Sequence, residues 1–230
     1  MSMEKMIIEK VISLVGKEAI LTIQTNSGAN SSDIDVYCIV KDHVKSSLHL
    51  FYDSNKIWNE IFIDNISDVK KKIRNMDEIC INFLCDFPLI YGKEEDIDNI
   101  IKLAEKKKDN YEIPLKRKKI IEYRIKVSAA KLLNKKYTLS KEQRQFLLNI
   151  INYPLIQLIF DYHKLFPKSP KFWMDQFKSN LPETDYQNIK LLLSGEISDE
   201  VLEALLAKYC NALDQITIKD LGRNESTYVH

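Results

Sequence analysis

No stretch of this chain past Pro114 reads as a β-strand, whereas the part before it alternates strand-like and helix-like runs. That change of pattern is the strongest constraint on the fold. It falls at KKKDNYEIP, a charged and polar segment whose proline suits the first turn of a helix. An α+β domain is therefore expected over residues 1–110 and an all-α helical-bundle domain over 111–230.

Within the first part, Met6, Ile7, Val11, Ile12 and Leu14 recur at helical spacing. AILTIQT and DIDVYCIV read as strands flanking the polar loop NSGANSS. SSLHLFYD and KIWNEIFID read as antiparallel neighbours. Ser67 and Asp68 can cap a short helix at SDVKKKI, and Lys70–Lys72 read as its exposed face. EICINFLCDFPLIYG is open between strand and helix. EEDIDNIIKLAEKKK is an amphipathic helix with acids in its first turn and lysines in its last, as the helix dipole favours. In the second part, LKRKKIIEYRIKVSAAKLLNKK is one long helix. KEQRQFLLNIINYPLIQLIFDYHKLF is another, expected to kink or break at Pro154. SPKFWMDQFKSN, ETDYQNIKLLLSG and SDEVLEALLAKYCNALDQI complete the bundle, the last two with Gly and Ser/Asp caps at their facing ends.

Composition narrows the class of function. The net charge of +1 on 230 residues predicts no partner by charge alone. No apolar run is long enough to span a bilayer, and MSMEKMIIEKV mixes charge into its apolar residues, so neither a membrane association nor a signal peptide is expected and a cytoplasmic protein is. Cys38, Cys80, Cys85 and Cys210 lack CxxC spacing and sit in apolar runs, which reads as buried free thiols. The histidines are scattered without metal-ligand spacing.

Chemistry is concentrated in SGANSSDIDVYCIV. Side chains two apart on a strand share a face, so Asp33 and Asp35 point together. Taken alone, DxD is a common accident of a solvated strand end. Its functional reading is a divalent metal site completed by a third carboxylate. In NEIFID, Glu60, Phe62 and Asp64 share a face. Glu60, flanked by Ile61 and Ile63, is the acid expected to need a positive partner, more than Asp64 at the strand's exit.

SSDIDVYCIV followed by an acid-bearing strand resembles the polymerase-β-type nucleotidyltransferase superfamily, and more closely the kanamycin (aminoglycoside 4′-type) nucleotidyltransferases. KIWNEIFIDNI is similar to their tryptophan-led strand, with its acid at Glu60. FPLIYGKEEDIDNIIKLAEK is similar to the segment closing their catalytic domain. IIEYRIK is similar to their EYxxK helix, and LLLSGEISDEVLEALL to a late helix–turn–helix. The matches run in order over most of the chain.

The resemblance implies a nucleotidyltransferase-type mixed sheet with helices, followed by the helical domain. It implies Mg²⁺ on Asp33, Asp35 and Glu60, ATP or GTP as donor, and a hydroxyl of a small molecule as acceptor. Glu122 becomes the general base and Lys126 a phosphate ligand, with the two domains walling a cleft and a homodimer expected. Where the superfamily carries a Gly-Ser pair this chain has Gln24, Thr25, Asn26, Ser27 and Gly28, so Thr25 and Ser27, with Ser32, are the candidate nucleotide-binding hydroxyls. A catalytically silent binding or regulatory protein, or an antitoxin-like enzyme that modifies a protein, stays open beside this reading.

Read from spacing alone, Glu122 and Lys126 are an i, i+4 surface ion pair. Residues 102–136 carry thirteen Lys and Arg against four Asp and Glu, with Lys118 one turn before Glu122. Most of these read as a solvated face. Any that line the cleft favour phosphates or an anionic acceptor. Nucleic acid is not expected, because no basic motif is interleaved with aromatics. Phe172 and Trp173 read as a helix-packing anchor, Tyr123 as a residue that packs or lines the cleft, and Trp58 as a cover for the end of the sheet.

Overall fold

The computed structural model describes residues 3–26, 33–52, 58–134 and 138–210. It divides into two compact units, Met1–Asn110 and Tyr111–His230.

In the first unit, α1 (Met3–Val15) leads into β1 (Ile20–Thr25), then β2 (Asp33–Val40), β3 (Ser47–Tyr52), β4 (Trp58–Asn65), α2 (Ile66–Arg74), α3 (Glu78–Asp86), β5 (Leu89–Gly92) and α4 (Asp98–Asp109). The five strands form one mixed sheet in the order β3-β4-β2-β1-β5. β3 and β4 are antiparallel neighbours. The acid-bearing β4 runs parallel to the aspartate-bearing β2. Alternation separates two faces. Ile34, Val36, Cys38 and Val40 of β2, with Ile61 and Ile63 of β4 and Ile23 of β1, pack on Ile7 and Val11 of α1. On the opposite face Tyr37 stacks on Phe83 of α3 with ring centroids 5.2 Å apart, and Phe62 meets Phe83 at 6.0 Å.

EICINFLCDFPLIYG, ambiguous in sequence, is both elements in succession: α3, capped by Asp77 through the Cys80 N–H, and then the edge strand β5. α2 is capped by Asn65, which accepts from the Asp68 N–H, and not by Ser67 or Asp68. Its last turn is not a wholly exposed lysine face, since Lys72 reaches back to Asp64 at 2.6 Å.

The second unit is helical: α5 (Leu115–Leu132), α6 (Lys141–Tyr162), α7 (Trp173–Asn180), α8 (Glu183–Ser194) and α9 (Asp199–Tyr209). α6 is its central element. Ser140 and Gln143 form a reciprocal capping box at its start, and the helix runs on through Pro154 without interruption. Burial of Leu148, Ile151, Leu155, Ile156, Leu158, Ile159 and Phe160 around it outweighs the hydrogen bond that the proline removes. Trp173 anchors α7 as expected, against Phe160 and Tyr153, while Phe172 is exposed. α8 ends at Gly195, whose φ of 76° is the left-handed conformation of a C-cap. Among the described residues no helix is long and apolar enough to cross a membrane.

Candidate active site

The register of the central strands places Asp35 directly opposite Glu60. In a parallel pair, residues at matching register project to the same face, so the two carboxylates are neighbours on adjacent strands. The next pair along, Tyr37 and Phe62, is covered by α3 through Phe83. Asp35 and Glu60 are half-buried, one step beyond that cover. Asp33 opens β2 with its Cα opposite that of Trp58. The side chains of Asp33 and Trp58, and residues Ser27 and Ser32, lie outside the described part of the structure.

Asp35 is held from β1 and the residue after it. Asn26 donates from Nδ2 to Asp35 Oδ2 at 2.7 Å and accepts the Asp35 N–H on Oδ1 at 2.8 Å, while its own N–H donates to the Asp35 carbonyl at 3.1 Å. The Thr25 hydroxyl donates to the same carbonyl at 3.1 Å and is fully buried, so in this conformation it braces the strand end. Sequence reasoning missed Asn26. The available signal was an amide just after a strand and ahead of the acid it fixes.

Farther along the same face Asp64 also has a built-in positive partner. It is 3% exposed, pairs with Lys72 and accepts the Tyr37 hydroxyl at 2.6 Å. Burial drives the Tyr37 hydroxyl far above its ordinary range, so it stays a donor, and the Cys80 thiol beside it is pushed to about 12. This network fixes the far end of the face, two steps along β4 from Glu60. Leu50 on β3 is the register partner of Glu60 and is exposed, which sets an apolar rim beside the carboxylates.

In the helical unit, Glu122 sits on the inner side of α5 and is 5% exposed. Burial raises its carboxyl above the ordinary range; Lys118 opposes that rise, Asp161 adds to it, and Lys119 opposes it. Lys126 is half-buried and is not among the charges acting on Glu122, so the surface ion pair read from spacing does not form. Lys118 is turned to Asp161 of α6 at 2.8 Å. Asp161, 2% exposed, also accepts the Ile113 N–H at 2.7 Å. Sequence reasoning missed Asp161 as well, although an acid within the apolar run LIQLIFDYH is a group that must find partners. Tyr123 faces outward.

No family model and no curated protein matches the chain. Among solved structures, a nucleotidyltransferase-like protein from Exiguobacterium sibiricum 255-15 matches with a TM-score of 0.52 at 12% identity, covering 90% of this chain and 75% of that one. The chain has a nucleotidyltransferase-like fold. At 12% identity the likeness speaks to fold and not to substrate.

On that fold, the donor set fits a small hard cation. Mg²⁺ is commonly held by one or two carboxylates, with waters and substrate phosphates filling the remaining positions. Asp35 and Glu60 supply two carboxylates at one locus, one of them oriented by a neighbouring amide. Among the described residues no larger cluster of His, Cys, Asp and Glu is present.

Proposed function

We propose that the protein is a Mg²⁺-dependent nucleotidyltransferase that moves a nucleoside monophosphate from ATP or GTP to a hydroxyl of a small molecule, in the manner of the aminoglycoside enzymes. The observation that carries this reading is the alignment of Asp35 with Glu60 on one face of a nucleotidyltransferase-like sheet. Two like charges on adjacent strands repel, and a cation between them turns that repulsion into a binding site.

Asp35 and Glu60, with Asp33 at the strand entrance, would hold the Mg²⁺. When bound, the ion supplies charge neutralisation at the triphosphate. Asn26 keeps the Asp35 carboxylate in one orientation. Lys126 is the candidate phosphate ligand, and Ser27 and Ser32 remain candidate phosphate-loop hydroxyls. Glu122 is the proposed base: a buried carboxyl titrating above its ordinary range is a better proton acceptor than an exposed one. In the reaction the acceptor oxygen bonds to the α-phosphorus, the bond from that phosphorus to pyrophosphate breaks, and the hydroxyl proton passes to Glu122.

One observation favours a second reading, a silent binding protein on the same fold. The Thr25 hydroxyl is buried and committed to the Asp35 carbonyl. A single assay separates the two. Pyrophosphate release from Mg²⁺-ATP and Mg²⁺-GTP is followed with a panel of hydroxyl-bearing small molecules, aminoglycosides included, and nucleotide binding is measured by calorimetry alongside. Release that E122Q abolishes while nucleotide binding persists supports the transferase. Binding without release for any acceptor supports the silent protein, and absence of both refutes the two together.

A further inference from the structure

Lys118 and Glu122 are i and i+4 on α5, so their side chains lie on one face within reach of each other. A buried carboxylate with an ammonium one turn away would ordinarily form an ion pair. It does not do so here. Lys118 Nζ is 2.8 Å from Asp161 Oδ2, across the α5–α6 contact, and among the described residues no hydrogen bond or ion pair engages the Glu122 carboxyl. Asp161 is itself fixed, because its other oxygen accepts the Ile113 N–H at 2.7 Å. The order of the residues helps. A lysine preceding a glutamate on a helix is the weaker arrangement of this pair, so a rigid acid on the next helix competes well for the ammonium.

Among the described residues, four charged or titratable groups act on Glu122. Lys118 and Lys119 come from its own helix, Asp161 from α6, and Cys210, at the end of α9, lies within electrostatic range. Burial holds the Cys210 thiol at about 12, so it is neutral and supplies no counter-charge. Of the two lysines Lys118 acts on Glu122 more strongly, so its position bears most on whether Glu122 is paired, and Asp161 holds it.

From this geometry we propose that Asp161 is a positioning residue that draws Lys118 away from Glu122 and so keeps the Glu122 carboxylate unpaired and able to accept a proton. The proposal rests on the reading of Glu122 as the base. It assigns Asp161 an indirect role in the reaction, through Lys118, in addition to its part in packing.

The test reads Glu122 directly, so that it does not depend on detecting transfer. Carboxyl-carbon NMR gives the Glu122 titration midpoint in the native protein, D161N, K118M and D161N/K118M. D161N keeps an acceptor for the Ile113 N–H and leaves Lys118 free to turn to Glu122. The midpoint is expected to fall in D161N, and K118M is expected to raise it further on the D161N background than on the native one. Equal effects of K118M on the two backgrounds would mean that Lys118 does not move, and would overturn the proposal.

A second arm covers the case in which D161N does not fold. The Lys118 ammonium resonance of E122Q keeps its native position if Asp161 holds the lysine. A change to the signal of a free lysine assigns Lys118 to Glu122 and overturns the proposal. Where transfer is detected, the acid limb of its pH profile follows the Glu122 midpoint through the same variants. Absence of transfer from every variant, the native protein included, counts against the proposed function and leaves the NMR result to stand or fall separately.

Discussion

Asp35 and Glu60 face each other across the parallel pair of β2 and β4, with Asn26 holding the Asp35 carboxylate from one side. The amide makes the acidic pair a directed site. Asn26→Ala removes a hydrogen bond to the carboxylate and another from the Asp35 N–H. Calorimetric titration with Mg²⁺ is expected to show affinity reduced by about 10–100-fold, the usual effect of losing a group that orients a metal ligand. The stability loss should be modest, about 1 kcal/mol for bonds at a partly exposed position.

The Lys72–Asp64 pair makes a second prediction. Lys72→Met leaves Asp64 nearly buried, with the Tyr37 hydroxyl still donating to it. Breaking a fully buried pair costs about 3–5 kcal/mol. Lys72 is 37% exposed, so solvent already screens this one and the expected loss is nearer ~2 kcal/mol. Urea unfolding of K72M and K72M/D64N measures it, with the double variant recovering part of the loss because no uncompensated charge remains.

Gly92 ends β5 with a φ of 92°, opposite Thr22 of β1. A Cβ there would lie inside the van der Waals shell of the Leu21 carbonyl, which is backbone and cannot rotate away. Gly92→Ala must therefore shift the edge strand as well as strain its own backbone, and should cost about 2 kcal/mol or more in denaturant unfolding. Gly92→Ala with native stability would mean that β5 does not pair with β1 as described.

Stability should also depend on pH through Glu122. Its folded carboxyl titrates above the ordinary value because of burial. Between the two values the folded state binds the proton more tightly than the unfolded chain does. Stability therefore falls as pH rises through that window, and the full cost of ionising Glu122 is present above it. Glu122→Gln removes the titration. The stability of E122Q relative to the native protein is expected to climb with pH across the window and then level off; a flat difference would show that burial does not penalise the charge.

The two-part fold was legible because it rests on local pattern: period-2 runs before residue 93, period-3.6 runs after Pro114, and caps such as Ser140 and Gly195. What failed were the properties set by tertiary packing. Ser67 and Asp68 looked like a cap, but the preceding strand delivers Asn65 to that position first. Pro154 looked like a break, yet α6 is buried closely enough to carry it.

The candidate site divides the same way. Its acids were visible as residues, and resemblance chose Glu60. The same physical argument, a buried acid needing a cation, applies to Asp64, whose partner Lys72 lies on the following helix. Register between β2 and β4 is a long-range property, so the alignment of Asp35 with Glu60 could not be read from spacing. Asp161 was equally hidden, since its partner Lys118 lies 43 positions away in sequence.

Thermal unfolding with nucleotide tests the central claim most directly. A ligand that binds the native state stabilises it by mass action, by about 2.7 kcal/mol at a hundredfold excess over its Kd, and so raises the melting temperature. Millimolar ATP or GTP with Mg²⁺ is expected to raise the melting temperature of the native protein, with the Mg²⁺-dependent part of the rise lost in Asp35→Asn and Glu60→Gln. No shift with either nucleotide, or a shift that persists unchanged in both variants, would contradict a metal-dependent nucleotide site at Asp35 and Glu60.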